Sequence, residues 1–374
     1  MNRKADVEAL LREINAELGG RVVVQRGSEI GWQSAERLLT GSLGLDIAMN
    51  GGLPRGMITQ FMGEEASGKT TMALKCAGIV QDTFGEEAAI AFVAVEPFDK
   101  RWANQCGCAI PFTKPELKLM SADDAAVYKQ VEDVGAFVVG QATTGEDALE
   151  LGLTFIKSNR FQLVIIDSMA ALVPAAEEEK EMAENTMGQL PRLIGKFLRK
   201  CYAAFNTAEE DGSPNQTAVL LINQVREVIG TYGHPEPQAP GGRGLRHALA
   251  CNVRFKRGDL LKEGERGSQL IYGKRTKIRI EKNKVGPPFR EAEFDFYFQP
   301  YGIFQPGDID TVQETRIWAV KAGLIAQTGN SSYEFGGKKF KGRESMESWL
   351  RDHESECDDL REQVRALLTT SVGR

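Results

Sequence analysis

Gly63-Glu64-Glu65-Ala66-Ser67-Gly68-Lys69-Thr70 is the stretch from which the rest of this chain is best read. It fits the spacing G-x-x-x-x-G-K-[ST], and it stands between an apolar run, Met57–Met62, and a helix-forming run, Lys69–Thr83. Strand, glycine-bounded loop and helix together make a phosphate cradle. The glycines let the backbone N–H groups of Glu64, Glu65, Ala66 and Ser67 turn around phosphate oxygens, and the following helix aims its positive end at them. In such a cradle Lys69 reaches the β- and γ-phosphates, the Thr70 hydroxyl sits on Mg²⁺, and Thr71 belongs to the same contact set. The expectation is a protein that binds and hydrolyses a nucleoside triphosphate, ATP first among them.

Four further elements extend this reading. Leu163-Val-Ile-Ile-Asp167 is a buried parallel strand ending in a carboxylate, at the sheet edge where ligands bind. Asp167 is then the Mg²⁺-side carboxylate. Glu96 closes the run Ala89–Glu96, where it can polarise the water that attacks the γ-phosphate; a cap for the following turn is the plainer alternative. Leu220-Leu-Ile-Asn-Gln224 brings an amide to the same edge, so Gln224 can sense the γ-phosphate and pass its state to the glycine-rich segment that follows. Lys282 and Lys284 flank one residue in an extended run and so point the same way. Spacing alone does not separate a functional pair there from a solvated basic face.

The chain between Leu39 and Phe298 alternates strands and helices. Strands are expected at Met57–Met62, Ala89–Glu96, Ala136–Val139, Leu163–Asp167, Ala218–Asn223, Asn252–Lys256, Lys277–Lys282 and Ala292–Phe298. Helices are expected at Lys69–Thr83, Glu146–Ser158 and Pro191–Phe205. That order predicts an α/β fold with a mostly parallel central sheet. Before it, a helix over residues 6–18 with Asp6 as its cap carries the stripe Val7, Leu10, Leu11, Ile14 and Leu18, and a β-type run, Arg21–Gln25, follows. This unit is too small to bury its own stripe, so it must dock on the main body or on a neighbouring subunit. Residues 299–374 read as a small α/β appendage with helices at Glu314–Ala322, Met346–Trp349 and around Leu360–Leu368. Two segments read as long loops: the acidic Ala175–Met187 and the Gly/Pro-rich Gly230–Gly244.

Composition narrows the classes. The 374 residues are 42% apolar, enough for a sizeable core, with no run near the roughly 20 apolar residues of a membrane span. Residues 1–6 lead into an amphipathic segment, not a signal core, so a cytoplasmic location without membrane partners is expected. The six cysteines are scattered, and Cys106 and Cys108 lack the neighbours a zinc site needs; reduced, buried thiols are expected. The net charge of −6 does not advertise nucleic-acid binding, but its distribution is uneven: Arg254–Lys284 holds eleven Lys/Arg against four Asp/Glu.

These elements, in this order, resemble the bacterial RecA recombinases from about residue 5 to residue 368. Leu39–Ala48 and Gly51–Gly56 look like the family's lead-in to the phosphate loop, and Ile166–Leu172 and Ile222–Arg226 look like its next blocks. Lys282-Asn-Lys284 with Pro288–Phe294 is the most discriminating match. The resemblance implies a DNA-dependent ATPase that forms helical filaments on single-stranded DNA, pairs it with homologous duplex DNA and exchanges strands, with ATP and Mg²⁺ between subunits. It implies a polymerisation arm over residues 1–38, an ATPase core over 39–300 and a C-terminal domain over 301–374. Lys282 and Lys284 would reach the γ-phosphate of the adjacent subunit. Asp99 and Trp102 fall where the family contacts adenine; a core aromatic is the plainer reading of Trp102. Segments 175–187 and 230–244 look like two DNA-binding loops, so Met187, Arg192, Arg199, Arg226, Ile229, Gly241, Gly242 and Arg243 would line the DNA. Arginines and loop amides would hold phosphates, and Met187 and Ile229 would wedge between bases.

The sequence is longer than the family pattern over residues 108–135 and Ala208–Asn215, and it departs from that pattern at His247, where an aromatic is usual. The chain closes on Ser371-Val-Gly-Arg374, without the family's acidic tail, from which weaker autoinhibition of duplex binding is expected. Two other readings compete: an ATP-switched single-strand-binding or mediator protein without strand exchange, and a hexameric helicase, against which Lys282, Lys284 and the polymerisation arm speak.

Overall fold

The computed structural model describes residues 3–18, 36–175, 188–206, 214–225, 240–265, 268–329 and 331–369, with the side chains of Asn15, Leu18 and Arg243 outside that description. It comprises two compact units, residues 1–36 and 37–374. In the first, a helix spans Arg3–Leu18. It starts three residues earlier than the sequence predicts, so Asp6 lies in its first turn, where a carboxylate favours the positive helix end, and does not cap it. Val7 and Leu10, from the predicted stripe, are exposed within this unit. The predicted run Arg21–Gln25 lies outside the described residues.

In the second unit, β1 (Arg37–Leu38) and β2 (Leu53–Pro54) form a short antiparallel pair. One eight-stranded sheet holds β3 (Ile58–Gly63), β4 (Ala89–Ala94), β5 (Ala136–Gln141), β6 (Leu163–Asp167), β7 (Ala218–Gln224), β8 (Cys251–Glu263), β9 (Leu270–Asn283) and β10 (Glu291–Tyr297). Its order is β10-β9-β8-β3-β7-β6-β4-β5. All neighbours from β8 to β5 are parallel, and β9 and β10 extend the sheet antiparallel. The expected α/β fold with a mostly parallel sheet is therefore present.

The sequence explains the layering. Successive side chains of a strand point to opposite faces. In β6, Leu163 and Ile165 join one apolar cluster while Val164 and Ile166 join another. The first cluster is covered by the helix Lys69–Phe84 through Met72, Cys76 and Val80. The second is covered by Gly145–Ser158 and Gln189–Phe205 through Leu149, Leu153, Phe197 and Cys201. A strand buried on both faces needs an unbroken apolar run, and β6 has one.

Several predicted bounds move. β4 ends at Ala94, so Glu96 stands two residues beyond it and not inside a strand. β8 and β9 are far longer than Asn252–Lys256 and Lys277–Lys282; they pair as a long antiparallel hairpin with register shifts at Arg257/Leu260 and Leu261/Lys262. A helix, Gly242–Ala248, begins inside the segment read as a loop ending at Gly244. Residues 176–187 and 230–239 of the two predicted loops lie outside the described residues.

The C-terminal elements are the helices Thr311–Lys321, Arg343–Asp352 and Glu354–Thr369 and a three-stranded antiparallel sheet of β11 (Ala326–Thr328), β12 (Ser332–Phe335) and β13 (Lys338–Lys341). They share an apolar cluster with the helix Leu43–Met49 through Leu43, Ile47, Ala319, Met346, Leu350 and Val364. At this junction Glu314 is fully buried. It accepts from Ser42 Oγ at 2.6 Å, Gly44 N at 3.0 Å and Leu43 N at 3.3 Å. Burial pushes its carboxyl up to about 8 against those hydrogen bonds. All six cysteines are buried thiols, as expected. Among the described residues, no helix is long and apolar enough to cross a membrane.

Candidate functional site

The phosphate-loop sequence lies where the sheet concentrates polar groups. Register puts Gly63 of β3 opposite Gln224 of β7, and Ala94 of β4 opposite Asp167 of β6, so the C-terminal ends of four adjacent parallel strands share one edge. The two glycines are dictated by sterics. A Cβ on Gly63 would stand 2.3 Å from the Phe255 carbonyl oxygen. Gly68 has φ +96°, and a Cβ there would meet the Phe296 ring at 3.1 Å. Gly68 is also the N-cap of the helix Lys69–Phe84 and offers no side-chain acceptor to its first turn.

A cavity of about 320 Å³ opens at this edge. Glu65 through Thr71 line it, with Glu96, Trp102, Asp167, Gln224, Lys274 and Phe296 through Phe298. Lys69 Nζ donates to the Glu64 carbonyl at 2.6 Å and to Ser67 Oγ at 3.3 Å. Burial pulls its amine down to about 8, while Asp167 and Glu96 oppose that shift. Thr70 Oγ1 donates to Asp167 Oδ2 at 2.8 Å. Burial pushes Asp167 up to about 6, the Thr70 hydrogen bond lowers it, and the neighbouring Glu96 carboxylate adds to the rise. Glu96 Oε1 accepts from Ser168 Oγ and, at 3.2 Å, from Gln224 Nε2.

The chemistry of this set is coherent. Thr70 and Asp167 form an all-oxygen pair suited to a small hard cation, and the reluctance of Asp167 to ionise is what a nearby divalent cation would reverse. Lys69 and the uncapped helix end suit phosphate. Glu96, held by a hydroxyl and an amide, is a carboxylate fixed in one orientation, as a water-orienting group has to be.

The other predicted residues are distributed as follows. Asp99 caps the short helix Lys100–Gln105, accepting from the backbone N–H groups of Arg101 at 2.8 Å and Trp102 at 3.1 Å. Trp102 lines the cavity and also packs against the core. Lys282 and Lys284 do not line the cavity of their own chain. Lys282 Nζ donates to the Arg246 carbonyl at 2.5 Å and the His247 carbonyl at 3.1 Å, and Lys284 Nζ donates to the latter at 3.0 Å. These carbonyls belong to the helix Gly242–Ala248, for which Gly241 at φ +109° is the N-cap. A groove of about 360 Å³ joins Arg199, Tyr202, Gly244, His247 and Lys284. Arg192 is exposed, near the start of the helix Gln189–Phe205. Met187, Arg226 and Ile229 lie outside the described residues, as does the side chain of Arg243.

Lys274, which lines the cavity, and Arg257, which contacts the phosphate loop, carry no signal in a motif, and Ser168 lies within the block Ile166–Leu172 without a role assigned to it there. Ser168 follows Asp167 directly, and its contact with Glu96 depends on strand adjacency. Lys274 and Arg257 come from the long hairpin; only the basic excess of Arg254–Lys284 hints at them.

Comparison with known proteins adds an independent finding. The family model for the RecA N-terminal domain matches residues 5–303. Protein RecA of Symbiobacterium thermophilum is 31% identical over 369 residues, covering 98% of this chain and 93% of that protein. Protein RecA of Chlorobaculum tepidum is 32% identical over 370 residues, covering 98% and 94%. Protein RecA of Enterococcus gallinarum is 33% identical over 375 residues, covering 100% and 94%.

Proposed function

The chain belongs to the RecA family, whose work is ATP-dependent DNA recombination and repair, and from that premise we propose that it forms helical filaments on single-stranded DNA, hydrolyses ATP there and catalyses homologous pairing and strand exchange. The observation that carries the ATPase part is the grouping of Lys69, the Thr70–Asp167 pair and the Glu96–Gln224 contact around one cavity.

Each residue has a role in this reading. The amides of the loop from Gly63 to Thr71 cradle the phosphates, and Lys69 neutralises their terminal charge. Thr70 and Asp167 hold Mg²⁺, which when bound supplies charge neutralisation at the phosphate oxygens. Glu96 orients the attacking water and takes its proton, with Ser168 and Gln224 holding the carboxylate. Asp99 and Trp102 bound the base. Gln224 ends β7 with its amide on Glu96, so a change in that hydrogen bond reports nucleotide state to the chain that follows.

The remaining roles rest on assembly. Lys282 and Lys284 leave the carbonyls of Arg246 and His247 to reach the triphosphate of the adjacent protomer. Residues 1–38 act as the polymerisation arm, in keeping with the exposure of Val7 and Leu10, residues 39–300 as the ATPase core and 301–374 as the C-terminal domain. Arg192, Arg199, Arg226 and Arg243 hold DNA phosphates, Gly241 and Gly242 let the backbone approach, and Met187 and Ile229 separate bases. The work is done in the cytoplasm. The test is joint-molecule formation between a labelled single-stranded oligonucleotide and homologous supercoiled duplex, with ATP. Joint molecules that vanish in Lys69→Ala support the reading. Tight single-strand binding with no joint product would leave an ATP-switched coat protein in its place.

A further inference from the structure

Two cations that belong to no recognised motif converge on the phosphate cradle. They are Arg257 on β8 and Lys274 on β9, brought together because the hairpin is long and bulged. Register is interrupted between Arg257 and Leu260, and a Cβ on Gly258 would stand 2.5 Å from the Arg275 carbonyl oxygen, so the two strands close up there. The hairpin thereby reaches the phosphate loop. Arg257 Nε donates to the Glu65 carbonyl at 2.7 Å, and Lys274 Nζ donates to the Ala66 carbonyl. Lys274 also lines the cavity beside Lys69.

The charge balance of this corner is uneven. The adjacent Arg275 is neutralised by the buried carboxylate of Asp295, with contacts at 2.8 and 3.0 Å. Among the described residues, Lys274 has no such carboxylate, and the nearest acid to Arg257 is Glu64, at 3.8 Å. The three cations also oppose one another. Burial and Arg257 hold the Lys274 amine below its ordinary value. Asp167 and Glu96 offset part of this charge at Lys69 and Glu64 part of it at Arg257, and an entering polyanion would offset more, Lys274 above all. The carbonyls that now hold Arg257 and Lys274 are modest acceptors, and a polyphosphate would offer both groups a stronger, charged one.

We propose that Lys274 and Arg257 form a phosphate clamp supplied by the chain's own hairpin, which binds the polyphosphate tail of a nucleoside triphosphate alongside Lys69 and favours triphosphate over diphosphate within a single protomer. The clamp deepens the reading of this cavity as the nucleotide site and rests on it. It differs from Lys282 and Lys284 in needing no neighbour.

Equilibrium titration of DNA-free protein with Mg²⁺ and a non-hydrolysable ATP analogue, ADP or AMP tests it. The wild type is compared with Lys274→Met, Lys274→Arg and Arg257→Gln, and each apoprotein's melting temperature is recorded. Lys274→Met should weaken the triphosphate about tenfold to a hundredfold, ADP less and AMP hardly at all, with a shallower salt dependence. Lys274→Arg should restore most of the loss, and Arg257→Gln should show the same order of effects. Equal losses for all three nucleotides, or none, would overturn the clamp and leave the pair as a brace of the loop. Should Lys274→Met fail to fold, Arg257→Gln carries the test. A wild type that binds none of the three nucleotides would instead overturn the nucleotide site itself.

Discussion

Replacing Glu96 by glutamine separates binding from chemistry at this site. Glu96 Oε1 accepts from Ser168 Oγ and from Gln224 Nε2. The glutamine carbonyl can accept both hydrogen bonds, so the side chain stays in place and the exchange of charged for neutral acceptor costs about 1 kcal/mol. What is lost is the base. General-base assistance contributes roughly 10²- to 10⁴-fold, or about 3–5 kcal/mol of barrier. The expected variant binds ATP within a few-fold of wild type and hydrolyses it at least about a hundredfold more slowly. A second consequence follows from charge. Burial raises Asp167 to about 6, and Glu96 adds to that rise. With the Glu96 charge removed, Asp167 ionises more readily, so the acid limb of Mg²⁺-dependent ATP binding moves to lower pH. Isothermal titration of ATP and Mg²⁺ between pH 5 and 8, with single-turnover hydrolysis in parallel, measures both. Wild-type turnover would reduce Glu96 to a cap for its turn. An unmoved acid limb would refute the coupling between the two carboxylates.

Two further outcomes are expected elsewhere in the molecule. Glu314 has a folded pKa near 8 against an ordinary value of 4.5, so the folded state holds the proton more tightly and stability falls as pH rises through that window; Glu314→Gln should melt with less pH dependence between pH 5 and 8.5, and parallel curves for the two proteins would remove Glu314 from the account. Arg199→Ala should weaken single-stranded DNA binding and reduce its salt slope by about one, whereas an unaltered slope would place Arg199 off the DNA path.

Much of the fold can be read from short signals that local chemistry makes unambiguous. β6 is an apolar run ended by one carboxylate, and the phosphate loop is two glycines at fixed spacing with Lys69 and Thr70 after them. Both produce elements at or within a residue of their expected bounds, because burial on both faces leaves few alternatives. The hairpin β8–β9 was only half legible. Its outer half carries charges on both faces, so alternation disappears, and its length is set by antiparallel pairing that no single strand announces. The cradle contacts of Arg257 and Lys274 were hidden with it. The helix Gly242–Ala248 is masked by glycines that argue for a loop. It packs Leu245 and Ala248 into the second apolar cluster, and that tertiary gain outweighs weak propensity. The short strands β11 to β13 offer too few residues for a period to show.

In the proposed function a triphosphate, gripped by one protomer and recognised by the next, assembles the chain on single-stranded DNA. Electron microscopy of the protein with single-stranded DNA and a non-hydrolysable ATP analogue tests it most directly. Continuous helical filaments are expected, and they are lost when Lys282 and Lys284 are both changed to alanine. Separate monomers with the wild-type protein, or unaltered filaments with the double variant, would contradict it.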